Sequence, residues 1–541
     1  MALWSLNKKS ILIIDDFPEM RSLIRGMVTD FGAQHIEQAR NGTEAVEALA
    51  GHRFDIVLCD YNLGDGKDGQ QVLEEAKHRN LLPFTTVFAV ITAECSSQMV
   101  MGALEYQPDA YISKPVTKTV LQVRLKKLLE KKDSLREINR ALDKKLLGRA
   151  LELCNQQLQN SSKHRFELLK LKSDILIKTG EYDQAKALCE TVLEERELPW
   201  ALFDTGRVHF YRQQYPEAAD IFSRIIDANS AFVSAYDWLA DTQKKLGDPG
   251  SAQRTLMSAV EKSAKSVLRQ RALAVLADKN QDYEVTEKAR RKAVRVGKGS
   301  ILRQPSDYAG LAKVLVKLST AKEALKVLDL IKHEFHDNPQ ADLEAATVGS
   351  EIYTALGNEK LSEEMLDKAV ALAADYPGFV SADVGVGLAQ ACHVHGRKAE
   401  ANEIICNIVK NNHDNDDVLE KISDLYGDAA EKQEIQALID KTRNEIIAVN
   451  NEGVRLLKIG KTAESIELFS KAAGGLPHNP IINLNAAQAL INMMKQSQPT
   501  RPSLEEALTY LQAANNSDSH KERQRRLLAV CRELSTQIQA K

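Results

Sequence analysis

The residues with the clearest chemical potential in this sequence are three carboxylates, a hydroxyl and an ammonium within its first 120 positions. They are Asp15, Asp16, Asp60, Thr92 and Lys114. The carboxylates are hard oxygen ligands, and their mutual repulsion favours a bound cation such as Mg²⁺. With the charge on an incoming phosphoryl group neutralised, Asp60 would attack phosphorus as a nucleophile, while Lys114 and the Thr92 hydroxyl would hold two phosphoryl oxygens. Any one of these residues alone would be an ordinary loop residue, but the joint set predicts phosphoryl transfer.

Four short apolar runs must position these residues, because each run ends at one of them or just before it. The runs span 11–14, 54–59, 87–91 and 110–113. They are typical of strands that are buried on both faces. Helical spacing of apolar residues marks 18–31, 42–49, 69–79 and 96–104. This alternation predicts an α/β doubly wound domain with a parallel sheet, whose chemistry lies beyond the carboxyl ends of its strands.

A glycine-rich segment, 64–69, follows Asp60. It lacks the Gly-Lys-Ser/Thr of a phosphate-binding P-loop. It also fails as a calcium loop counted from Asp60, because Asp65 and Gln71 stand where an EF-hand needs Gly and Glu. The segment is best interpreted as a turn into the third helix.

Four motifs around the chemical residues carry a family resemblance. They are Ile-Ile-Asp15-Asp16, Val-Leu-Cys-Asp60-Tyr-Asn-Leu, Val-Ile-Thr92-Ala and Tyr111-Ile-Ser-Lys114-Pro115. Together they resemble the receiver domain of two-component response regulators, chemotaxis regulators in particular, over about residues 8–130. The resemblance implies a parallel sheet of five strands in the order 2-1-3-4-5.

The resemblance also implies roles for individual residues. Asp60 would accept a phosphoryl group from a histidine kinase or a phosphotransfer protein, assisted by Thr92 and Lys114. Thr92 and Tyr111 would move together as a switch. The peptide bond between Lys114 and Pro115 would be cis.

A Mg²⁺ site is implied by the same resemblance. Asp16, Asp60 and the backbone carbonyl of Asn62 would bind the ion, and Asp15 would position its waters. The polar residues two positions beyond Asp60 and Thr92, which are Asn62 and Glu94, imply a short-lived phosphoryl group.

The segment from Lys118 to Leu147 has apolar residues at helical spacing and contains neither Pro nor Gly. It predicts one helix that continues past the receiver and transmits its state. Its basic face leaves three interpretations open. A rigid connector is favoured, a homodimer seam follows closely, and a surface for an acidic partner is the third.

Strand signals vanish after residue 165, and a period of 33 to 34 residues begins. Gly180, Gln213, Gly247 and Gln281 occupy one register of this period. The unit is a pair of antiparallel helices, which resembles tetratricopeptide repeats, and the clearest match is 450–479. We expect about nine such pairs and a capping helix over 519–540. The predicted domains are therefore a receiver (1–130), a helical connector (131–165) and a helical repeat domain (166–541).

Other residues in the repeat domain offer little chemistry. Cys392, His393, His395 and Cys406 are better explained by core packing than by a metal site. Tyr236 and Asn485 lie on predicted first helices and are weak candidates for contact with a protein segment. The domain is therefore expected to bind a protein partner, still unidentified, and the receiver's phosphoryl transfer to be the only chemistry, so the chain is not an enzyme in the usual sense.

The composition of the chain limits the kinds of partner and the cellular location that can be expected. The net charge of −3 over 541 residues argues against a dedicated nucleic-acid binder. Seven scattered cysteines, no signal peptide and no apolar span predict a cytoplasmic protein without membrane insertion. The receiver resemblance implies that it is a bacterial-type regulator. Two alternatives stay open: a nucleic-acid-binding regulator that uses the basic faces of the connector and of 288–295, and a scaffold whose receiver is not phosphorylated.

Overall fold

The computed structural model describes residues 4–93, 107–160, 164–377, 380–426, 429–514 and 520–539. The chain divides into two compact units, Met1–Asp307 and Tyr308–Lys541. The first unit contains a parallel sheet followed by helices, and the second is helical in its described parts. No helix in these described ranges is both long enough and apolar enough to cross a membrane.

The sheet has five parallel strands in the order β2-β1-β3-β4-β5. Its strands are β1 (Ser10–Ile14), β2 (His35–Ala39), β3 (Ile56–Asp60), β4 (Val87–Thr92) and β5 (Ala110–Ser113). The predicted α/β fold, strand order included, is confirmed. The apolar pattern did not locate the residues of the edge strand β2, which only the resemblance implied, because its sequence, HIEQA, leaves only Ala39 buried and therefore forms no apolar run.

Helices cover both faces of the sheet. They are α1 (Pro18–Asp30), α2 (Gly42–Gly51), α3 (Gly69–His78) and α4 (Lys118–Ser134). One core includes Ile13, Leu58 and Leu125 beneath α1 and α4, and the other includes Leu12, Val57 and Leu73 beneath α2 and α3. The helix expected over Ser96–Leu104, together with Glu94, lies outside the described residues.

The prediction of one continuous helix from Lys118 to Leu147 is wrong. Helix α4 ends at Ser134, and α5 (Arg136–Asp143) and α6 (Leu147–Asn160) follow as separate helices. The break lets Leu135, only 7% exposed, enter a core that contains Ile138 and Cys154. Burial of that leucine outweighs the helical continuity that the local pattern favours.

The connector is also held against the receiver. The Lys132 ammonium donates to the Phe84 carbonyl at 2.9 Å and pairs with Asp109 at 2.8 Å, and the Phe84 amide donates to Asp143 at 2.8 Å. The connector therefore folds back onto the sheet domain and does not project from it as a rod.

Four helix pairs complete the first unit. They are α7 (Arg165–Thr179) with α8 (Tyr182–Glu195), α9 (Pro199–Tyr211) with α10 (Tyr215–Ala228), α11 (Val233–Lys245) with α12 (Pro249–Lys262), and α13 (Val267–Lys279) with α14 (Tyr283–Gly297). The predicted register falls at the turn inside each pair, where Gly180, Gln213, Gly247 and Gln281 all have φ between 60 and 81°. The left-handed turn, not glycine itself, is thus the repeated feature.

The second unit continues the pattern. Its helices are α15 (Pro305–Lys317), α16 (Ala321–Glu334), α17 (Pro339–Ala355), α18 (Glu359–Asp375), α19 (Ala382–Val394), α20 (Lys398–Asn411), α21 (Asp416–Ser423), α22 (Ala429–Lys458), α23 (Thr462–Gly475), α24 (Pro480–Gln496), α25 (Arg501–Ala513) and α26 (Lys521–Gln539). In α22 a Cβ at Gly453 would lie less than 3.0 Å from the Phe469 ring of α23, which shows how closely paired helices cross. Glycine at position 453 thus has a packing reason.

The structure bears on two interpretations of individual residues in the repeat domain. Cys392 is buried in a helix–helix core, and no metal-ligating group of the described residues includes it. Core packing therefore accounts for it. Tyr236 and Asn485 are 6% and 5% exposed, and both side chains bond within the protein. They are wrong as residues that contact a partner, because both side chains face neighbouring residues and not solvent.

Candidate functional site

The predicted chemical residues converge on one edge of the sheet. Asp15 and Asp16 follow β1, Asp60 ends β3, Thr92 ends β4 and Lys114 follows β5. These four strands are adjacent and parallel, so their carboxyl ends meet. The sheet brings together residues that are separated by up to 99 positions in the sequence.

The three carboxylates form a compact acidic cluster. One oxygen of each of Asp15, Asp16 and Asp60 lies within 4.8 Å of the others. Asp15 is fully buried and Asp60 is 5% exposed. Burial raises the pKa of Asp60 above its ordinary value, although Lys114 opposes the rise. Gathering these charges is unfavourable without a compensating cation.

Lys114 supplies one such cation. Its ammonium donates to Oδ2 of Asp60 at 2.8 Å and to Oδ2 of Asp15 at 3.1 Å. Burial works against the charged ammonium, but the two carboxylates outweigh it and raise the pKa of Lys114. The Lys114–Pro115 bond is cis, as expected, and the Lys114 amide donates to the Thr92 carbonyl at 2.7 Å. Lys114 therefore stands charged between the two aspartates.

The donor set fits a divalent cation that prefers oxygen. Oδ1 of Asp15 already accepts from the Phe17 amide at 2.9 Å. Oδ1 of Asp16, in contrast, is buried and has no hydrogen-bond partner among the described residues. A buried carboxylate oxygen without a partner is costly unless an ion or a water satisfies it. Asn62 lies in the loop directly after β3 with its side chain exposed, and the role of its carbonyl stays a prediction.

The two residues predicted to switch lie on neighbouring strands. Thr92 ends β4, and Tyr111 pairs in register with Val90 of that strand. The Tyr111 side chain is half-buried, and its hydroxyl has no partner within the described ranges. Burial, followed by the nearby Tyr61, raises the pKa of Tyr111, so its phenol is neutral at physiological pH.

The segment 61–68, which we call the acceptor loop, contains features that the sequence interpretation missed. It closes on itself, because the Gly69 amide donates to the Tyr61 carbonyl at 2.8 Å. Asp68 caps α3 in a reciprocal arrangement with Gln71. A Cβ at position 69 would lie less than 3.0 Å from the Asp60 carbonyl oxygen. The Asp-x-x-Gln spacing is a capping-box signature that would have placed the start of α3.

Comparisons with known proteins find similarity to receiver domains over the N-terminal part of the chain. A family model described as response regulator receiver domain matches residues 11–126. The chemotaxis protein CheY-3 of Vibrio cholerae is 33% identical over 133 residues, which cover 23% of this chain and 96% of that protein. The chemotaxis protein CheY of Pseudomonas aeruginosa is 31% identical over 121 residues, which cover 22% and 96%. The crystal structure of a CheY-like receiver domain protein from Methanospirillum hungatei is 27% identical, with a TM-score of 0.22, and the match covers 23% of this chain and 96% of that one.

Proposed function

Because the chain belongs to the response regulators with a CheY-like receiver domain, we propose that it is a phosphorelay response regulator in which Asp60 accepts the phosphoryl group. The observation that carries the proposal is the convergence of two carboxylates and a charged lysine around the Asp60 carboxylate, at the sheet edge where Thr92 ends β4. The donor would be a histidine kinase or a phosphotransfer protein.

The transfer uses the side chains at this edge. An Asp60 oxygen attacks phosphorus, a P–O bond forms, and the P–N bond to the donor histidine breaks so that the electron pair stays on the imidazole. Lys114, which already contacts Asp60, neutralises a phosphoryl oxygen, and the Thr92 hydroxyl donates to another. The Tyr111 phenol, which is neutral and half-buried on β5, forms the switch pair together with Thr92.

Mg²⁺ is the proposed cofactor. Asp15, Asp16, Asp60 and the carbonyl of Asn62 would hold it, directly or through water. When bound, the ion neutralises charge on the phosphoryl oxygens and on the acidic cluster. Oδ1 of Asp16, which has no hydrogen-bond partner among the described residues, is an atom that such an ion would satisfy.

The proposed function predicts that Asp60→Asn removes labelling. The full-length protein is incubated with radiolabelled acetyl phosphate and Mg²⁺, and the acid-labile, Mg²⁺-dependent label on the protein is counted. The substituted side chain presents an amide that cannot form the acyl phosphate, so the label should fall to background. Asp65→Asn, which changes an exposed carboxylate of the acceptor loop, is the matched control and should label like the wild type. Full labelling of Asp60→Asn would refute the assignment.

A second prediction concerns the metal. Asp16→Asn should weaken Mg²⁺ binding at least about tenfold, because it removes a charge and a buried acceptor oxygen from the cluster. Isothermal titration of the unphosphorylated protein with MgCl₂ measures the effect, again with Asp65→Asn as the control. Equal affinity in Asp16→Asn and the wild type would remove Asp16 from the site.

The helical repeats are proposed to relay the signal through protein–protein interaction, as the resemblance to tetratricopeptide repeats implies. The nucleic-acid alternative gains no support from the 288–295 helix face. There Arg290 contacts Asp307 at 3.5 Å and Arg291 pairs with Glu287, so two of the basic side chains of this face are engaged within the first unit. Pull-down with the phosphorylated and unphosphorylated full chain as bait tests the relay.

A further inference from the structure

The turn between α20 and α21 is bonded to the residues directly before α24. The Asn479 side-chain amide donates to Nδ1 of His413 at 3.0 Å and to the Lys410 carbonyl at 2.6 Å. The His478 backbone amide donates to the Asn411 side chain at 3.1 Å. Repeats in a stacked array normally contact only their neighbours, whereas Asn479 and His413 are 66 positions apart, about twice the repeat period. We call this contact between non-consecutive repeats the α20–α24 joint.

The hydrogen bonds of the joint determine the protonation of the histidine ring. Asn479 caps α24, because its Oδ1 accepts from the Ile482 amide at 3.0 Å. Its amide group cannot turn over without losing both this cap and the bond to the Lys410 carbonyl. Nδ2 of Asn479, which can only donate, therefore faces His413, and Nδ1 of the imidazole must accept. The joint thus requires His413 without a proton on Nδ1.

The surroundings of His413 also disfavour a positive charge on its ring. His413 is only 4% exposed, and Asn479 is completely buried. Burial lowers the pKa of His413 below its ordinary value, and the neighbouring Asp414 opposes this shift. Arg443 of α22 and His520, directly before α26, lower the pKa further. Protonation of Nδ1 would set two donors against each other at a buried contact, and a buried polar group that loses its partner is costly.

The residue after His413 binds a third segment of the chain. The His520 ring donates from Nε2 to Oδ2 of Asp414 at 2.6 Å, which fastens the start of α26 to the same turn. Burial works against the charged Asp414 carboxylate, but the bond with His520 and the nearby positive charges outweigh it and lower the pKa of Asp414. A further proton on His520 would strengthen its pair with the carboxylate. Mild acid therefore weakens the contact of His413 and not that of Asp414.

We propose that the α20–α24 joint is a pH-sensitive switch, in which acid protonates Nδ1 of His413 and separates the α20–α21 turn from the start of α24. The contribution of His413 is fully present above the ordinary histidine pKa of about 6.5. Because the pKa of His413 is lowered in the joined state, this contribution is lost as the pH falls from that value through the lowered pKa. The pair of His520 with Asp414 keeps α26 on the turn. The switch is independent of phosphorylation at Asp60.

Amide hydrogen exchange of the full-length protein tests the switch. Protection over residues 476–484, corrected for the intrinsic effect of pH on exchange, is compared at about pH 7.5 and about pH 5.5, on either side of the ordinary histidine pKa. In the wild type it should fall about fivefold at the lower pH, because protonation favours the separated state, and it should recover at the higher pH. His413→Asn places an amide oxygen where Nδ1 accepts and does not titrate, so its protection should be the same at both pH values.

Two control variants identify the titrating ring. His336→Asn makes the same substitution at an exposed histidine in the turn after α16 and should lose protection in acid as the wild type does. His520→Asn should also respond to acid, since His413 remains. The proposal fails if wild-type protection over 476–484 is the same at both pH values, or if His413→Asn loses protection as the wild type does. Loss of the acid response in His520→Asn would assign the titration to His520 and overturn the proposal as well.

Discussion

Lys114→Met is expected to lower the free energy of unfolding by about 3 kcal/mol in metal-free buffer, the cost of removing one partner from a buried ion pair. The substitution leaves three clustered carboxylates without their lysine, and two of them, Asp15 and Asp60, are almost completely buried. It should also slow phosphorylation at least about tenfold, because a donor to the phosphoryl oxygens is lost. Urea unfolding with EDTA measures the stability, and labelling by acetyl phosphate measures the rate.

Lys118→Met is the matched control for this prediction. Lys118 pairs with Asp30 at 2.7 Å, but both side chains are more than half exposed. Such a pair contributes less than about 1 kcal/mol, so the control should unfold almost like the wild type. Added Mg²⁺ should restore part of the stability of Lys114→Met, since it supplies positive charge to the same cluster. Equal losses in the two variants would contradict the electrostatic account of the site.

Gly69→Ala is expected to disturb the site through the backbone of Asp60. The new Cβ would lie less than 3.0 Å from the Asp60 carbonyl oxygen and 3.1 Å from Cys59 Sγ. Backbone atoms must move to relieve the first contact, so the cost should be about 1–3 kcal/mol, as for other overpacked sites. Phosphorylation should slow in parallel, because the displaced backbone belongs to the proposed acceptor, Asp60. Urea unfolding and acetyl phosphate labelling measure the two effects.

Gly26→Ala gives a control of opposite sign. Gly26 lies inside α1 on an exposed face, and a Cβ there would meet no atom within 4 Å. Alanine should therefore stabilise the protein by about 0.5–1 kcal/mol through helix propensity. If both alanine variants changed stability in the same direction, the close approach of Gly69 to Asp60 would not be the constraint inferred above.

The site residues that could be predicted from the sequence are those that lie at the ends of strands. Apolar runs that end in Asp15, Asp60, Thr92 and Lys114 determine the sheet edge at which these residues meet, because parallel strands share one carboxyl edge. The left-handed turns of the helix pairs also recur along the sequence with a recognisable period. Local patterns of this kind depend on a few neighbouring residues, so they survive in the linear sequence.

Long-range packing could not be predicted. The end of α4 at Ser134 depends on a core that Leu135 enters with residues of α5 to α7. The contact of Lys265 with Asp68 joins residues 197 positions apart through a surface lysine, and lysines occur on most helical faces. The residues of β2 were not located, since an edge strand with four partly or fully exposed residues carries no apolar run. In each case the structure depends on residues that are distant in the sequence and become neighbours only in the folded protein.

The central claim, that Asp60 is the phosphoryl acceptor, is tested most directly by chemical mapping of the phosphorylated residue. The full-length protein is phosphorylated with acetyl phosphate and Mg²⁺ and reduced with borohydride, which converts an aspartyl phosphate to homoserine. It is then digested and sequenced by tandem mass spectrometry. The account predicts homoserine at position 60 and intact aspartate at positions 15, 16, 65 and 68. Homoserine at any of those other positions, with aspartate retained at 60, would contradict it.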